Sequence, residues 1–471
     1  MARVIAVDNN IKSVSSNYAW IIAMIVAFGG FLFGFDTAII SGALPLVKDQ
    51  FSLSTAMEGW FVSAALVGCI TGVSFSGYVS DRFGRKQILL LSAFLFIASS
   101  IGCMLPSGIE TLIAFRLIGG IGIGIASMLA PLYISEFAPL HMRGRLVSFY
   151  QLAITIGIVA AYFSNAYLLG FQQKENLQGF LQLILVKETW RAMLGINLVP
   201  AVIFFILLLF VPQTPRWLVR KGYIDEAFSI LKKITGEQEA KKELITIQQS
   251  FNAVAPGLKI LLQPGFRQSL LIGVLLPFLG QFSGINAIIY YGPRILNQGG
   301  LTLSSSLDGQ VTIGIINVLS TFLAIRYVDK LGRRPLLIFG TAGIIIALII
   351  AAILFYLQLT VGYAVIITIL FFIFCYAFSL GPVQWVIMSE IYPNQVRAKA
   401  MTVATMSLWI AAAVVAQIFP WMLETIGAAG AFLFFAACSV CTIILTVKTI
   451  PETKNKSLEE IEAFWKRDLV K

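Results

Sequence analysis

The sequence predicts an all-α membrane protein with twelve transmembrane helices. We expect two six-helix bundles in a pseudo-twofold arrangement, with a small cytoplasmic helical domain between them. Three observations carry this prediction. Of the 471 residues, 58% are hydrophobic and only 12% are charged, whereas soluble domains carry about 25% charged residues. The mean hydropathy is +0.86, and long apolar runs recur along the chain. The composition excludes a soluble enzyme, a disordered chain and a disulfide scaffold.

The twelve apolar runs are each long enough to cross a bilayer, which takes about 20 residues of helix. No small-residue cleavage site follows the first run, so we expect it to be an uncleaved helix rather than a signal peptide. The predicted helices cover residues 18–41, 57–80, 87–105, 109–134, 146–169, 190–211, 268–292, 308–328, 335–357, 361–388, 400–423 and 428–449.

Five segments follow from these runs. Between the sixth and seventh runs, the pattern from Tyr223 to Ser250 is typical of short amphipathic helices. The predicted segments are a cytoplasmic N-terminus (1–17), a first bundle (18–211), an intracellular helical domain (212–267), a second bundle (268–449) and a cytoplasmic C-terminal helix (450–471).

The positive charges predict the orientation. With both termini in the cytoplasm, 28 of the 34 Lys and Arg residues lie on the cytoplasmic side and five lie outside. Lys and Arg concentrate on the cytoplasmic side of membrane proteins. We therefore expect a multi-pass protein of the plasma or inner membrane, and the net charge of +11 gives no reason to expect a nucleic-acid partner.

Three landmarks recur in the two halves at offsets of 248, 254 and 239 residues, each on the same predicted side of the membrane. Halves repeated in parallel place a substrate site at their interface, near the membrane midplane. The paired landmarks are 81–86 with 329–334, 135–143 with 389–397, and 212–216 with 451–454.

These landmarks resemble the sugar porters of the major facilitator superfamily, which include bacterial proton–sugar symporters and animal glucose facilitators. The specific motifs are PQTPRWL (212–218), QFSGIN (281–286) and PETKNKSLEEIE (451–462). The resemblance extends from about residue 18 to 462. Gln213 and Asn455 depart from it, since the family usually has Glu and Gly there.

Two ionisable residues lie deep inside predicted helices, Asp36 and Arg116. Helix lengths place them about 8 Å and about 10 Å from the outer ends of their helices. We expect them to pair, because either charge alone would be uncompensated. A purely structural salt bridge is one interpretation, and a proton-coupling switch is the other. The resemblance implies the switch, since Asp36 is similar to the aspartate of proton-coupled members.

Four amides stand in otherwise apolar helices, and they suit a sugar because an amide both donates and accepts hydrogen bonds. They are Gln151, Gln281, Asn286 and Asn317. Gln281 and Asn286 are about 140° apart on a helix, so they could share a site only as an opening wedge, with Ser283 and Gly284 between them letting another group approach. The alternative is hydrogen bonding between helices.

The resemblance also implies aromatic site residues. Trp385, which follows Gly381 and Pro382, is expected to stack on the sugar, and Trp409 is expected to line the same site. The gates it implies are Phe33, Tyr290 and Tyr291.

Some departures make the expected pocket less polar than usual for the family. Gly280 replaces the first of two successive glutamines, and Leu408 and Ala412 stand where some relatives have amides. Ile158 and Asn197 stand where xylose-transporting members have Gln and Glu. These departures leave the identity of the sugar open.

A second set of charges flanks the repeated loops on the predicted cytoplasmic side. Positive-inside topology explains its basic residues but not its repeated acids. We expect a salt-bridge network that latches the two halves together when the protein faces outward. Its members are Asp81, Arg85, Glu136 and Arg143 in the first half and Asp329, Arg333, Glu390 and Arg397 in the second.

The predicted function is import of a monosaccharide with protons by alternating access, through a monomer in the lipid bilayer. A hexose, with glucose as the expected choice, is predicted as substrate, and a pentose or polyol is the alternative. An uncoupled facilitator and a non-transporting sugar sensor are rival hypotheses. We expect no enzyme, cofactor or metal site. Gly120, Gly122 and Gly124 predict close helix packing rather than a nucleotide loop.

Overall fold

The structure is a computed structural model. It describes residues 2–105, 108–139, 142–173, 178–252, 263, 266–359, 363–392, 397–454, 456, 460, 461 and 465. For residues 2–16, 143, 144, 173, 250–252, 329, 397 and 398 it describes the backbone alone.

The first half consists of five long helices and an interrupted sixth. These are α1 (Ala2–Phe51), α2 (Thr55–Phe83), α3 (Arg85–Met104), α4 (Ile109–Phe137) and α5 (Arg143–Leu169), then α6 (Gly179–Gln182), α7 (Thr189–Gly195) and α8 (Leu198–Leu209). A 3₁₀ turn (Gly170–Gln173) follows α5, and a π-helical turn (Leu183–Lys187) precedes α7.

Three helices connect the halves, namely α9 (Pro215–Arg220), α10 (Ile224–Thr235) and α11 (Glu237–Asn252). The second half then comprises α12 (Phe266–Gln281), α13 (Ile285–Gln298), α14 (Leu303–Leu331), α15 (Arg333–Tyr356), α16 (Ala364–Phe378), α17 (Leu380–Glu390), α18 (Arg397–Thr425) and α19 (Gly427–Thr449).

Twelve helical stretches within the described residues are long and apolar enough to cross a membrane. This confirms the predicted number. The amphipathic segment forms α10 and α11, as predicted, and its cytoplasmic side remains a prediction. The predicted C-terminal helix lies largely outside the described residues.

The first helix corrects one predicted boundary. We expected it to cover 18–41, but α1 continues to Phe51 and also includes the polar residues 2–17. Lys48 pairs with the carboxylate of Glu58 at 2.7 Å. The positive charge of Lys48, which argued against a helix beyond residue 41, is therefore neutralised. Asp36 is therefore 15 residues from the end of its helix, or about 22 Å along the axis, rather than about 8 Å.

Three spans are interrupted. In the seventh, α12 ends at Gln281 and α13 begins at Ile285, and Gly284 has a φ of 89°, a left-handed conformation that favours glycine. The span predicted as one helix over 268–292 is thus two helices, because the chain turns at Gly284. The tenth span breaks at Ser379, between α16 and α17. The sixth breaks between α7 and α8.

The two halves meet through two equivalent pairs of helices. The second span, α2, packs against the eleventh, α18, and the fifth, α5, packs against the eighth, α14. Advancing each span by six positions turns the first pair into the second. This exchange is what a pseudo-twofold axis between the bundles produces, and it agrees with the predicted arrangement.

Glycines let the helices of the first half approach closely. A Cβ atom on Gly120 of α4 would lie 1.9 Å from the carbonyl oxygen of Ala65 on α2. A Cβ on Gly124 would lie 2.3 Å from the carbonyl oxygen of Cys69. The glycine run in α4 is therefore a packing surface, as predicted.

Substituting Gly120 with Val should destabilise the fold. No side chain fits against the α2 backbone at this position, so we expect a loss of about 1–3 kcal/mol. The readout is the thermal unfolding of the detergent-purified protein, with Gly170→Val as the matched control because no atom lies within 4 Å of a Cβ there. Equal melting temperatures for the two variants would contradict the packing described here.

Candidate functional site

The predicted charge pair is present and buried. Arg116 Nη1 on α4 donates to Asp36 Oδ2 on α1 at 2.9 Å, and each residue is only 4% exposed. In a low-dielectric interior, neither charge is stable without the other. The depth match predicted from the sequence is confirmed by this contact, although the end of α1 used for it was wrong.

Asn197 is a further partner of the carboxylate that we did not assign from the sequence. Its Nδ2 donates to Asp36 Oδ1 at 3.1 Å, from the break between α7 and α8. Arg116 Nε and Asn197 Oδ1 have no hydrogen-bond partner among the described residues. The cluster therefore retains at least one donor and one acceptor without a partner among the described residues.

Close backbone packing fixes the position of Asp36. A Cβ on Gly34 of α1 would lie 1.9 Å from the carbonyl oxygen of Ile154 on α5, and one on Gly157 of α5 would lie 2.1 Å from that of Phe31. The two helices therefore contact each other backbone to backbone at the level of the pair. This contact leaves α1 little freedom to rotate and carry the carboxylate away from Arg116.

The predicted amides of the seventh span meet across its break. Asn286 Nδ2 donates to Gln281 Oε1 at 2.7 Å. In a continuous helix the two side chains would point about 140° apart, so the break is what brings them together. Gln281 is 4% exposed and Asn286 is half-buried, which leaves the Asn286 end of the pair more accessible.

The other two predicted amides are free of such pairing. Gln151 on α5 is half-buried, and Asn317 on α14 is 6% exposed. Within the described part of the chain, neither makes a hydrogen bond. Their helices are the pair α5 and α14 that joins the two halves. These amides therefore have donors and acceptors available for a polar ligand at the interface.

The aromatic residues provide a contact between the halves. The rings of Phe33 on α1 and Trp409 on α18 have centroids 5.2 Å apart. Trp409 is 2% exposed, and its Nε1 has no partner among the described residues, so it can donate to a ligand. Trp385 is half-buried on α17, close after the break at Ser379.

The two predicted gating tyrosines differ in their contacts. Tyr291 is fully buried, and its hydroxyl donates to the carbonyl oxygen of Ala416 at 2.7 Å, within the second half. Tyr290 is 3% exposed. The neighbouring carbonyl of Ile289 accepts a hydrogen bond from Tyr162 of the first half at 3.3 Å. In this state Tyr291 is a packing residue, and both gating roles stay predictions.

The three repeated landmarks of the first half meet at the end of the molecule that carries the loop between α2 and α3, here called the Gly-Arg end. Arg85 Nε and Nη2 donate to the two oxygens of Glu136, each at 3.1 Å. Asp81 accepts from Arg85 at 2.8 Å, and Thr214 donates to Glu136 at 2.7 Å. Three segments distant in sequence therefore form one cluster.

The second half repeats this cluster. Arg333 Nη2 donates to Glu390 Oε1 at 3.0 Å, and Thr453 donates to Glu390 Oε2 at 2.5 Å. Glu452 accepts from the backbone N–H groups of Arg333 and Arg334, each at 3.0 Å, and so caps the N-terminus of α15. In the first half, Gln213 accepts from the Lys86 N–H at 3.3 Å.

The described part of the predicted latch lies within each half. Where both partners are described, every ion pair at the Gly-Arg end joins residues of the same half or of the segment next to it. The side chains of Arg143, Asp329 and Arg397 lie outside the described residues. The five described members form two clusters, one in each half, and the role of the network as a latch stays a prediction.

The halves are instead joined by charges at the opposite end, which we did not predict. Glu58 on α2 is 1% exposed and binds both Lys48 at 2.7 Å and Arg294 of the second half at 2.5 Å. Arg294 also lies 3.6 Å from Glu424, which accepts from Thr55 at 2.5 Å. The signal in the sequence that could have indicated this cluster is Glu58 in the first turn of the predicted helix 57–80, with Lys48 and Arg294 beyond the ends of other predicted helices.

No group of three or more His, Cys, Asp or Glu side chains in the described chain is arranged to hold a metal ion. The charged groups of the site are instead paired with one another.

Comparisons with known proteins give one consistent result. The model of the family described as "Sugar (and other) transporter" matches residues 22–465. The arabinose-proton symporter of Bacillus subtilis is 42% identical over 455 residues, covering 96% of each chain. The galactose-proton symporter of Escherichia coli is 36% identical, covering 96% of each chain.

The fold comparison agrees. The partially occluded inward open conformation of the xylose transporter XylE from E. coli superposes with a TM-score of 0.82 at 34% identity, covering 94% of this chain and 100% of that one. A structure of XylE bound to 6-bromo-6-deoxy-D-glucose has a TM-score of 0.80 at 34% identity, covering 95% and 99%.

The cap at α15 generates a pH-dependent prediction. Burial opposes ionisation of Glu452, but the N–H groups of Lys454, Arg333 and Arg334, with the Arg333 charge, hold its pKa below its ordinary value of 4.5. A lowered carboxyl pKa stabilises the folded state fully above the ordinary value, and this contribution is lost as the pH falls below it.

We therefore expect Glu452→Gln to lower stability at pH 7 by about 0.5–2 kcal/mol, typical of losing a helix cap. The difference from wild type should shrink as the pH falls below about 4. Melting temperatures measured from pH 7 down to about pH 3 test this, with Asp308→Asn, at an exposed carboxylate, as control. A deficit of constant size at every pH would refute the ionised cap.

Proposed function

Since this chain belongs to the sugar porter family of the major facilitator superfamily, we propose that it imports a monosaccharide together with protons by alternating access. The observation that carries the proposal is the buried pair of Asp36 and Arg116, 2.9 Å apart at the core of the first half. This pair offers a carboxylate whose protonation changes the balance of charge inside the protein.

The pair supplies a mechanism for coupling. While Asp36 is ionised, it neutralises Arg116 and accepts from Asn197. Protonation would cancel its charge and leave the Arg116 guanidinium uncompensated in a buried position, which is costly. Any conformation that gives Arg116 another partner or water would then gain population. Proton binding is thereby linked to the change of state.

The amides and aromatic residues form the proposed sugar site. Gln151, Asn317 and the linked pair of Gln281 and Asn286 provide donors and acceptors from both halves. Trp385 and Trp409 provide apolar surface for the faces of a sugar ring, and Trp409 adds a free indole N–H. Because the contributing helices come from both bundles, a rocking motion between the bundles would open and close this site.

The ion pairs support an inward-facing state. Glu58, Arg294 and Glu424 join the halves at one end, while the described ion pairs at the Gly-Arg end stay within each half. If the termini are cytoplasmic, as the positive charges predict, the closed end is the outer one. The sugar site would then open towards the cytoplasm, and the described ion pairs at the Gly-Arg end agree with a latch that forms only when the protein faces outward.

The substrate is proposed at the level of an aldose. Glucose was the expectation from the sequence and is not confirmed, since the relatives named above are symporters of arabinose and galactose. The arabinose symporter is the more similar of these two to this chain. Arabinose is therefore the first sugar to measure, together with xylose, galactose and glucose. Thermal stabilisation of the purified protein by each sugar would rank them.

The coupling test is Asp36→Asn. Without a carboxylate to take up the proton, the variant should lose sugar accumulation driven by an imposed pH gradient in proteoliposomes. It should keep counterflow exchange, which needs the sugar site and the conformational change but no net proton movement. The matched control, Asp308→Asn, should retain both activities.

Two results would oppose this proposal. Normal accumulation by Asp36→Asn would exclude the carboxylate as the coupling group. Wild-type uptake that stops at equilibration and ignores protonophores would favour an uncoupled facilitator instead.

A second test concerns alternation. Neutralising Glu58 as Gln removes the carboxylate that two cations share, and a hydrogen bond to a charged group is worth about 1.5–3 kcal/mol. We expect the closed outer end to open more often. The buried Ser63 on α2, replaced by Cys in a variant that lacks Cys441, should then react roughly tenfold faster with an impermeant maleimide applied from outside.

The exposed Glu110 begins α4 much as Glu58 begins α2, so Glu110→Gln is the matched control for this labelling. Unchanged reactivity in Glu58→Gln would mean that the charge cluster does not hold the outer end closed.

A further inference from the structure

Gln384 is a buried amide that the site described above does not use. It lies on α17 directly before Trp385, and it is 3% exposed. Its Oε1 atom is fully buried and has no hydrogen-bond partner among the described residues. A buried carbonyl oxygen without a donor costs about 1–3 kcal/mol, so a ligand that supplies a donor would bind favourably here.

The oxygen of Gln384 occupies the space beside Gly280. A Cβ atom on Gly280 would lie 2.8 Å from Gln384 Oε1. Gly280 immediately precedes Gln281, whose amide is linked to Asn286 across the break. An unpaired acceptor from α17 is thus placed against the backbone of α12, one residue from the predicted sugar amides.

Both elements end at a joint in this region. α12 stops at Gln281 before the turn at Gly284, and α17 begins at Leu380 after the break at Ser379. The oxygen is fully buried in the present state, so a ligand reaches it only if one of these elements shifts. A carbonyl oxygen can only accept, so a ligand hydroxyl would supply the missing donor, while the Gln384 amide also has a side-chain hydrogen bond with Tyr376.

We propose that Gln384 contacts the transported sugar and determines specificity, by accepting a hydrogen bond from one sugar hydroxyl beside Gly280. In related chains two successive glutamines stand at the end of α12, but here the first of them is Gly280. Gln384 thereby supplies from α17 the amide that is missing from α12. This inference rests on the proposed function, since it requires a hydroxyl-rich substrate at the break in the seventh span.

The test compares a sugar with its monodeoxy analogues on the purified protein. The probe is whichever of arabinose, xylose, galactose and glucose binds the wild type most tightly, measured by calorimetry. Gln384→Met keeps the length of the side chain but removes the acceptor. We expect about 3- to 10-fold weaker binding of the full sugar, the usual value of one neutral hydrogen bond.

The specific signature lies in the analogues. One monodeoxy sugar, which lacks the hydroxyl that Gln384 contacts, should bind Gln384→Met and wild type equally well. The remaining analogues should all lose affinity in the variant as the full sugar does. A merely structural role for Gln384 would weaken every analogue alike.

Two further variants separate this role from damage to the fold. Gly280→Gln combined with Gln384→Ala moves the amide back to α12, and it should restore affinity to within about threefold of wild type. Gln310→Met is the matched control, because Gln310 is another fully buried amide with an unpaired oxygen, packed against Gly292 on α13. It should leave affinity and discrimination unchanged.

Each outcome decides the question. If wild type binds sugar and Gln384→Met binds the full sugar and every analogue as wild type does, the role of Gln384 is refuted while the transport function stands. The role is also refuted if the variant weakens every analogue by the same factor. If wild type binds none of the four sugars, the proposed function fails and this inference fails with it.

Discussion

The pairing of Asp36 with Arg116 is the constraint on which the rest of this structure depends. A single charge at the centre of a membrane helix costs roughly 2.5–3.5 kcal/mol on insertion scales, so each residue needs the other in the folded protein. The requirement fixes α1 against α4, and the glycine contacts between α1 and α5 then hold the carboxylate in register. Asn197 completes the neutralisation from the broken sixth span. Stability and proposed coupling thus reside in the same atoms.

The repeated landmarks acquire a physical reason from the clusters at the Gly-Arg end. In each half an arginine, a glutamate and a threonine from three separate segments share hydrogen bonds. The glycine before each arginine is required as well, since Gly84 and Gly332 have φ values of 104° and 91°, which side chains rarely adopt. A surface ion pair alone contributes about 0–1 kcal/mol. A cluster that joins three segments by several hydrogen bonds holds the helix ends of a whole bundle together.

The features that could be predicted from the sequence depend on the free energy of placing single residues or short segments in a membrane. Apolar length specified the twelve spans, and the cost of isolated charge identified Asp36 and Arg116. The angle between Gln281 and Asn286 indicated that they could share a site only as a wedge, although the seventh span was predicted as one helix. What could not be predicted are contacts that only the folded chain creates. The cluster around Glu58 needs α2, α13 and α18 together. The acceptor of Gln384 has meaning only beside Gly280, and the extension of α1 to Phe51 depends on Lys48 finding a buried carboxylate.

The uninterrupted length of α1 has a mechanical consequence. Asp36 and Lys48 are 12 residues apart on one helix, or about 18 Å, and Lys48 holds the carboxylate that also binds Arg294. Asp36 and the ion pairs of Glu58 are therefore connected by continuous helix, so a shift of α1 along its axis would reach these ion pairs without passing through a loop. Pro45 is the weak joint along that path, because its ring removes one backbone hydrogen bond. The stiffness of the helical turn at Pro45 would thus set how much of a movement at Asp36 reaches Lys48.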